Sequence, residues 1–396
     1  LYLAKSLSSG DKESFKSNFK MGKLSFYFSV GESVSYSVLR TLKKEDDKVV
    51  SKKFVRHLVV GEDLFAVAHT QKLLAQFPQE TSLLVEKKFE TKDILPKGAS
   101  TLRGEANIAA IKELYPESVT TEYDRVARFI KEGKFKKFGG RSKPETLLWG
   151  ENFYIDPKID IKLDGLFPFI NEENLYEKLP AIEEKIKAIH KIQSADLVEN
   201  AQWAVECHSG VTYECEHLYF SKGPAEFLNF ISNKAALSNE FIEWCEATQT
   251  PATLFHHWTF SKPVMDRTDT IFLPYSYTHE WGHAVVEFVA LSDGSQEARM
   301  TSFIEPEQTS EEELSKKIRL YKRNLEKICP EASKFSKDEY LALVATSVNA
   351  KNDDAGFQKF MHELKNLMFI GEQGASLKDS SDVSHLMRGL KIYAEN

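Results

Sequence analysis

Cysteine is scarce: Cys207, Cys215, Cys245 and Cys329 are the only four, and no two are in C-x-x-C spacing. In a chain of 396 residues that excludes a dense disulfide framework. Cys207 and Cys215 flank Gly210 in what reads as a hairpin, so a bridge is geometrically open, but buried thiols are the expectation. No apolar run comes near the ~20 residues that span a bilayer. Positive charge is not in excess either. The formal net charge of -7 leaves no broad basic face for nucleic acid, and the lysines of Lys131 to Lys137 read as a solvated face. No repeat of fixed period and no low-complexity tract occurs. The chain starts at Leu1, which is compatible with an upstream signal peptide already removed; the cytoplasm is the default expectation.

What is present is the balance of an ordinary globular protein, 42% hydrophobic and 28% charged, in a length that calls for two domains. Residues 1–53 have no clear role, although Leu24 to Ser29 reads as a strand. His57 to Gly61 is a short apolar run ending in glycine, which suits a buried parallel strand. Asp63 to Phe77 has helical spacing and stops at Pro78, and Ser82 to Glu86 is a second buried strand. Together they form a βαβ unit. Helices are expected over Ala106 to Leu114, Tyr123 to Glu132 and Leu179 to Gln193, the last with Ile182, Ile186, Ile189 and Ile192 on one face. Trp203 to His208 and Thr212 to Phe220 read as strand, turn, strand, and Pro224 to Ile231 as a helix. Ala252 to Phe260, Thr270 to Tyr277 and Ala284 to Leu291 alternate as strands, and Asp293-Gly294 turns into Gln296 to Ile304. Thr309 to Ile328 is a charged helix with Ser310 as N-cap and Glu313 completing a capping box.

A dinucleotide loop between such a strand and helix needs glycine at three places: the tight turn, the approach to the pyrophosphate, and the helix–strand contact. The corresponding residues are Gly61, Asp63 and Ala66. Gly61 keeps the turn and Ala66 is small enough to pack. Asp63, with Glu62 beside it, brings carboxylates to a helix start whose N–H groups favour an anion, and Asp63 can cap the helix itself. Glu86 ends the second strand, where an acid for the ribose belongs.

The segment Asn366 to Glu395 resembles the end of the amine oxidase, protoporphyrinogen oxidase and phytoene desaturase superfamily, with Gly371-Glu372 after an apolar run and a helix at Ser384 to Ala394. Trp203 to Pro224 is similar to the family's three-stranded excursion, and Glu311 to Pro330 to the helix after its substrate-domain sheet. Gly139-Gly140-Arg141 resembles its second glycine motif, displaced downstream. The resemblance implies an α/β and α+β fold, with a Rossmann-like FAD/NAD(P)-binding domain carrying an inserted mixed-sheet substrate (cap) domain. The first covers 54–145, 195–235 and 364–396; the second covers 146–194 and 236–363. It implies FAD as cofactor, held by Gly61, Glu62, Asp63, Ala66, Glu86, Gly139, Gly140, Arg141, Gly371 and Glu372. It also implies hydride transfer to the flavin from a small-molecule substrate that stays unidentified. The family's substrate-strand lysine is missing from Thr253 to Phe260, which offers His256, His257 and Trp258 instead, with only one histidine on each strand face.

The acidic loop predicts weak or absent FAD, and loss of FAD leaves the alternative of a non-catalytic protein that uses the fold as a binding or interaction module. A further alternative is a zinc peptidase through His279-Glu280-x-x-His283, which requires both histidines on one helix face. The valines and Asp-Gly turn that follow read as a strand into a hairpin, so metal is not the expectation.

Overall fold

The computed structural model describes residues 24–29, 51–88, 101–123, 127–139, 143–144, 154–172, 175–192, 200–247, 252–274, 281–304, 310–344, 359–360 and 364–371. Its strands begin with β1 (Leu24–Ser29), β2 (Ser51–Val60), β3 (Thr81–Val85), β4 (Thr101–Arg103), β5 (Val119–Tyr123), β6 (Arg128–Lys131), β7 (Lys134–Lys137), β8 (Lys158–Ile161) and β9 (Ala181–Glu183). They continue with β10 (Ile186–Lys191), β11 (Trp203–Cys207), β12 (Val211–Phe220), β13 (Ala252–Phe260), β14 (Ile271–Pro274), β15 (Trp281–Ala290), β16 (Gln296–Ile304), β17 (Ser336–Val344) and β18 (Leu367–Phe369). The helices used below are α1 (Leu64–Gln76), α2 (Glu105–Leu114), α3 (Pro224–Phe230), α4 (Asn239–Ala247) and α5 (Glu311–Ile328).

Mixed sheets carry the fold. In the first, the order is β10-β11-β12-β2-β3-β9, with β18 also on β12. The strands β9, β3, β2, β12 and β18 run parallel, and β10 and β11 complete the sheet antiparallel. The β2–α1–β3 unit expected from the apolar runs is therefore present, and the last described strand shares its sheet. Leu58, Val59, Val60, Leu83, Leu84 and Phe220 are almost fully buried. This is the continuous apolar run that a parallel strand covered on both faces requires.

A second sheet has the order β1-β17-β13-β16-β15-β14-β6-β7. One face packs on α5 through Leu314, Tyr321 and Leu325, against Trp258, Met300 and Leu341. The opposite face carries the aromatic group Phe129, Phe272 and Phe303. Ser310 caps α5, its side chain accepting from the Glu313 amide. A third, three-stranded sheet orders β4-β8-β5.

Two expected helices are strands. Glu132 (φ 56°) and Gly133 (φ 71°) form a two-residue left-handed turn that joins β6 to β7, so the end of Tyr123 to Glu132 is one arm of a hairpin. Leu179 to Gln193 contains β9 and β10. A register irregularity between Ile186 and Ala188 puts Ile186 and Ile189, three residues apart, both in the core. A bulge thus imitates helical spacing. Residues 128–137 pair with the second sheet and 181–191 with the first. The zinc motif fares no better: Trp281–Ala290 is a strand, so Gly282 and His283 do not continue a helix from His279 and Glu280, which lie outside the described residues. All four cysteines are free and buried. No helix among the described residues is long and apolar enough to cross a membrane.

The three-stranded sheet is tied to the second sheet by buried charge. Glu287 on β15 accepts from Arg103 on β4, from Thr270 before β14, and from Lys158 on β8 at 3.0 Å. Burial alone pushes the Glu287 carboxyl up, but Lys158, Arg103 and Thr270 outweigh it and hold it at about 2. A carboxyl that ionises more readily when folded stabilises the fold above the ordinary carboxylate range, and that contribution drains away as pH falls towards 2. Glu287→Leu strips the carboxylate from two buried cations and is expected to cost about 3–5 kcal/mol in urea denaturation at neutral pH. The difference from wild type should shrink as pH is lowered from about 4.5.

Candidate functional site at the parallel strand ends

The carboxyl ends of β2, β3, β12 and β18 converge, which is where open α/β sheets place their ligands. Gly61 follows β2 with φ 139°, a conformation reserved for glycine, and its amide donates to the Leu84 carbonyl at 3.0 Å. A Cβ on Gly61 would lie 1.8 Å from Ser221 Oγ. One on Gly371, after β18, would lie 1.9 Å from the Ser221 carbonyl oxygen. Ser221 is thus wedged between the two glycines, with its own amide donating to Val60 at 3.0 Å. The absence of side chains at both positions is used by the protein's own β12.

Asp63 is the N-cap of α1. Its extended backbone (φ -80°, ψ 175°) turns the side chain back so that Oδ1 accepts from the Ala66 amide at 2.8 Å. Burial pushes the Asp63 carboxyl above its ordinary value, against the pull of the Ala66 amide, Ser221, the Phe65 amide and Lys222. Ala66 is fully buried.

Lys222 is the residue that sequence reasoning missed. Its Nζ lies 3.3 Å from Glu62 and 3.6 Å from Glu86, joining the loop after β2 to the end of β3. Burial pulls the ammonium down, and Glu62, Glu86 and Glu226 together more than restore it. Burial also pushes Glu62 up, with Lys222 opposing and Glu86 and Asp63 adding to the shift. Glu226, in the first turn of α3, is raised by burial as well. Tyr176 closes the loop from the side, its hydroxyl donating to the Glu62 carbonyl at 3.1 Å. A pyrophosphate brought to the start of α1 would find the Ala66 amide taken by Asp63. It would also meet the acids Glu62, Asp63, Glu86 and Glu226 around the Lys222 ammonium.

The other expected residues lie elsewhere. Gly139 follows β7 beside the second sheet, with open space around the position of a Cβ. Gly140, Arg141 and Glu372 lie outside the described residues. On β13 the strand pleat separates the three candidates. His256 and Trp258 face α5; His256 Nε2 is 3.6 Å from Glu339, and Trp258 Nε1 donates to Ser336 at 2.8 Å while Lys322 sits 4.5 Å over its ring. Burial holds His256 below its ordinary value, with Glu339 opposing. His257 faces the other way, 3.8 Å from Glu297. The three do not form one cluster.

No protein-family model and no curated protein matches the chain. Its fold nevertheless resembles that of solved oxidoreductase structures. An oxidoreductase from Methanosarcina mazei superposes with a TM-score of 0.55 at 12% identity, covering 86% of this chain and 100% of its own. A double mutant of putrescine oxidase, from a structure-based redesign of its cofactor binding, gives 0.55 at 10% identity over 87% and 99%. A protein of Pyrococcus furiosus gives 0.52 at 9% identity over 86% and 97%. At such identities the likeness is one of fold.

Two of the four glycines expected at the cofactor, Gly61 and Gly139, should behave differently on substitution. Gly61→Ala, with a forbidden φ and Ser221 in the way, is expected to destabilise by more than about 3 kcal/mol, whereas Gly139→Ala should stay within about 1 kcal/mol. Thermal denaturation of the two variants checks this.

Proposed function

We propose that this chain is an amine-oxidase-fold protein whose dinucleotide site is closed by its own side chains, so that FAD is not held tightly and the fold serves as a binding module. On this reading the first sheet is the Rossmann-like domain and the second sheet the cap. The observation that carries it is the Asp63 carboxylate seated on the Ala66 amide. A helix start offers an anion typically ~0.3–1 kcal/mol, and more when partly buried. Two like charges at ~4 Å cost about 4 kcal/mol at an effective dielectric of 20, so even one unneutralised carboxylate outweighs the gain. Lys222 offsets part of this, but Glu62 and Glu86 share it.

One observation favours the second reading, a flavin-dependent oxidoreductase acting on a small molecule: Glu86 follows β3 at the position of a ribose-binding acid. The same Glu86 is engaged by Lys222, which ranks this reading second. The two separate in a flavin titration. Wild-type protein should purify without visible flavin absorbance and show no micromolar FAD affinity by fluorescence quenching. Asp63→Gly, which removes both bulk and charge, should bind at least about tenfold more tightly, a gain of ~1.4 kcal/mol. Stoichiometric, tightly held FAD in wild type would overturn the proposal in favour of the oxidoreductase.

A further inference from the structure

Away from the strand ends, one cluster has the parts of a nucleophile. His190 lies on β10, an edge strand of the first sheet, and Glu206 on the adjacent β11. Ser232 follows α3. Its backbone is fixed there by a parallel bridge between Ile231 and Ile189, both buried, and by the Ser232 amide donating to the Ile189 carbonyl at 2.9 Å. That places Ser232 beside the next residue of β10, His190.

The side chains form a continuous relay. Ser232 Oγ is 2.6 Å from His190 Nδ1, and His190 Nε2 is 3.4 Å from Glu206 Oε2. With the ring proton on Nε2 and given to the carboxylate, Nδ1 is left to accept from the serine hydroxyl. Lys187 anchors the other Glu206 oxygen at 2.6 Å. Lys187 above all holds the Glu206 carboxyl below its ordinary value, with burial opposing and His190 adding to the pull, so the acceptor is ionised at neutral pH. Glu206 and Lys187 are the charged groups that these contacts place around the imidazole. Ser232 is exposed, and a solvent-borne molecule reaches its hydroxyl without any opening of the fold. The two ring nitrogens exchange the roles they have in a serine protease, which leaves the proton path intact.

We propose that Ser232 is a nucleophile activated by His190 and oriented by Glu206, and that it takes the acyl group of small activated carboxylic esters. Ser232 Oγ bonds the ester carbonyl carbon while its proton passes to His190 Nδ1. The carbonyl–alkoxy bond breaks, and the alcohol leaves with that proton. Water then attacks the acyl-serine, giving a proton to His190 and releasing the carboxylic acid as Oγ is reprotonated. His190 is the general base; Glu206 is a positioning residue. The site is independent of the flavin loop, and its test does not depend on FAD.

The full chain is treated with a fluorophosphonate, from which Ser232 would displace fluoride, and the adduct is mapped by mass spectrometry. Stoichiometric adduct on Ser232 is expected. His190→Ala should slow it by roughly 10²-fold, the lower end for a positioned base. Glu206→Gln should slow it severalfold and displace the pH profile, and Glu206→Asp should recover part of the rate. Absence of an adduct on Ser232 overturns the proposal. So does an adduct that forms equally fast in His190→Ala, since the cluster would then be only a tie between α3 and the sheet edge. Hydrolysis of p-nitrophenyl acetate, lost in Ser232→Ala, gives a second and independent measurement.

Discussion

Everything at the strand ends depends on one close contact, the passage of Ser221 between Gly61 and Gly371. A parallel sheet brings its backbones to within about 5 Å of one another, and side chains at the point where strands end decide what fits there. Here neither neighbour of Ser221 has a side chain, and the space is filled from within the chain. Lys222 is thereby aimed at Glu62 and Glu86. The glycine and acid pattern of a nucleotide site and the packing needs of a closed strand crossing are therefore met by the same residues. Which of them a sequence shows is settled by what sits on the third strand.

That third strand explains how far the sequence could be read. The β2–α1–β3 unit was legible because its information is local: an apolar run, a glycine, a helical period and another apolar run. Asp63 as a cap was legible for the same reason, since the capping partner is three residues away. Lys222 was not, because its partners lie about 160 and 136 positions earlier and nothing in Phe220 to Pro224 says which carboxylates it meets. The helix expected over Leu179 to Gln193 failed on a single irregularity: the bulge in β10 changes the spacing of inward isoleucines from two to three. The Ser232–His190–Glu206 relay was hidden twice, by that misread helix and by residues 42 apart that only a backbone bridge aligns.

The buried Glu287 cluster serves a different purpose from the strand-end acids, although both combine carboxylates with lysine. At Glu287 two cations and a hydroxyl converge on one carboxylate, and the ionised form wins decisively. At Lys222 one cation is shared among several carboxylates, and Glu62 and Glu226 are left above their ordinary values. The first arrangement locks two sheets together. The second leaves acidic groups in surplus at the strand ends.

The pairing of β1 with β17 has a consequence for how the chain is made. Leu24 to Ser29 lies parallel to Glu339 to Val344, about 300 residues further along, and β2 likewise waits for β12 before its second edge is covered. A ribosome releases the chain from its N-terminus at roughly 5–20 residues per second, so these early strands spend tens of seconds without their partners. Pairings of such separation are also the slowest to form once the partners exist. The lysines at the start of β2, Lys52 and Lys53, stand on its exposed end and discourage pairing with other chains during that interval.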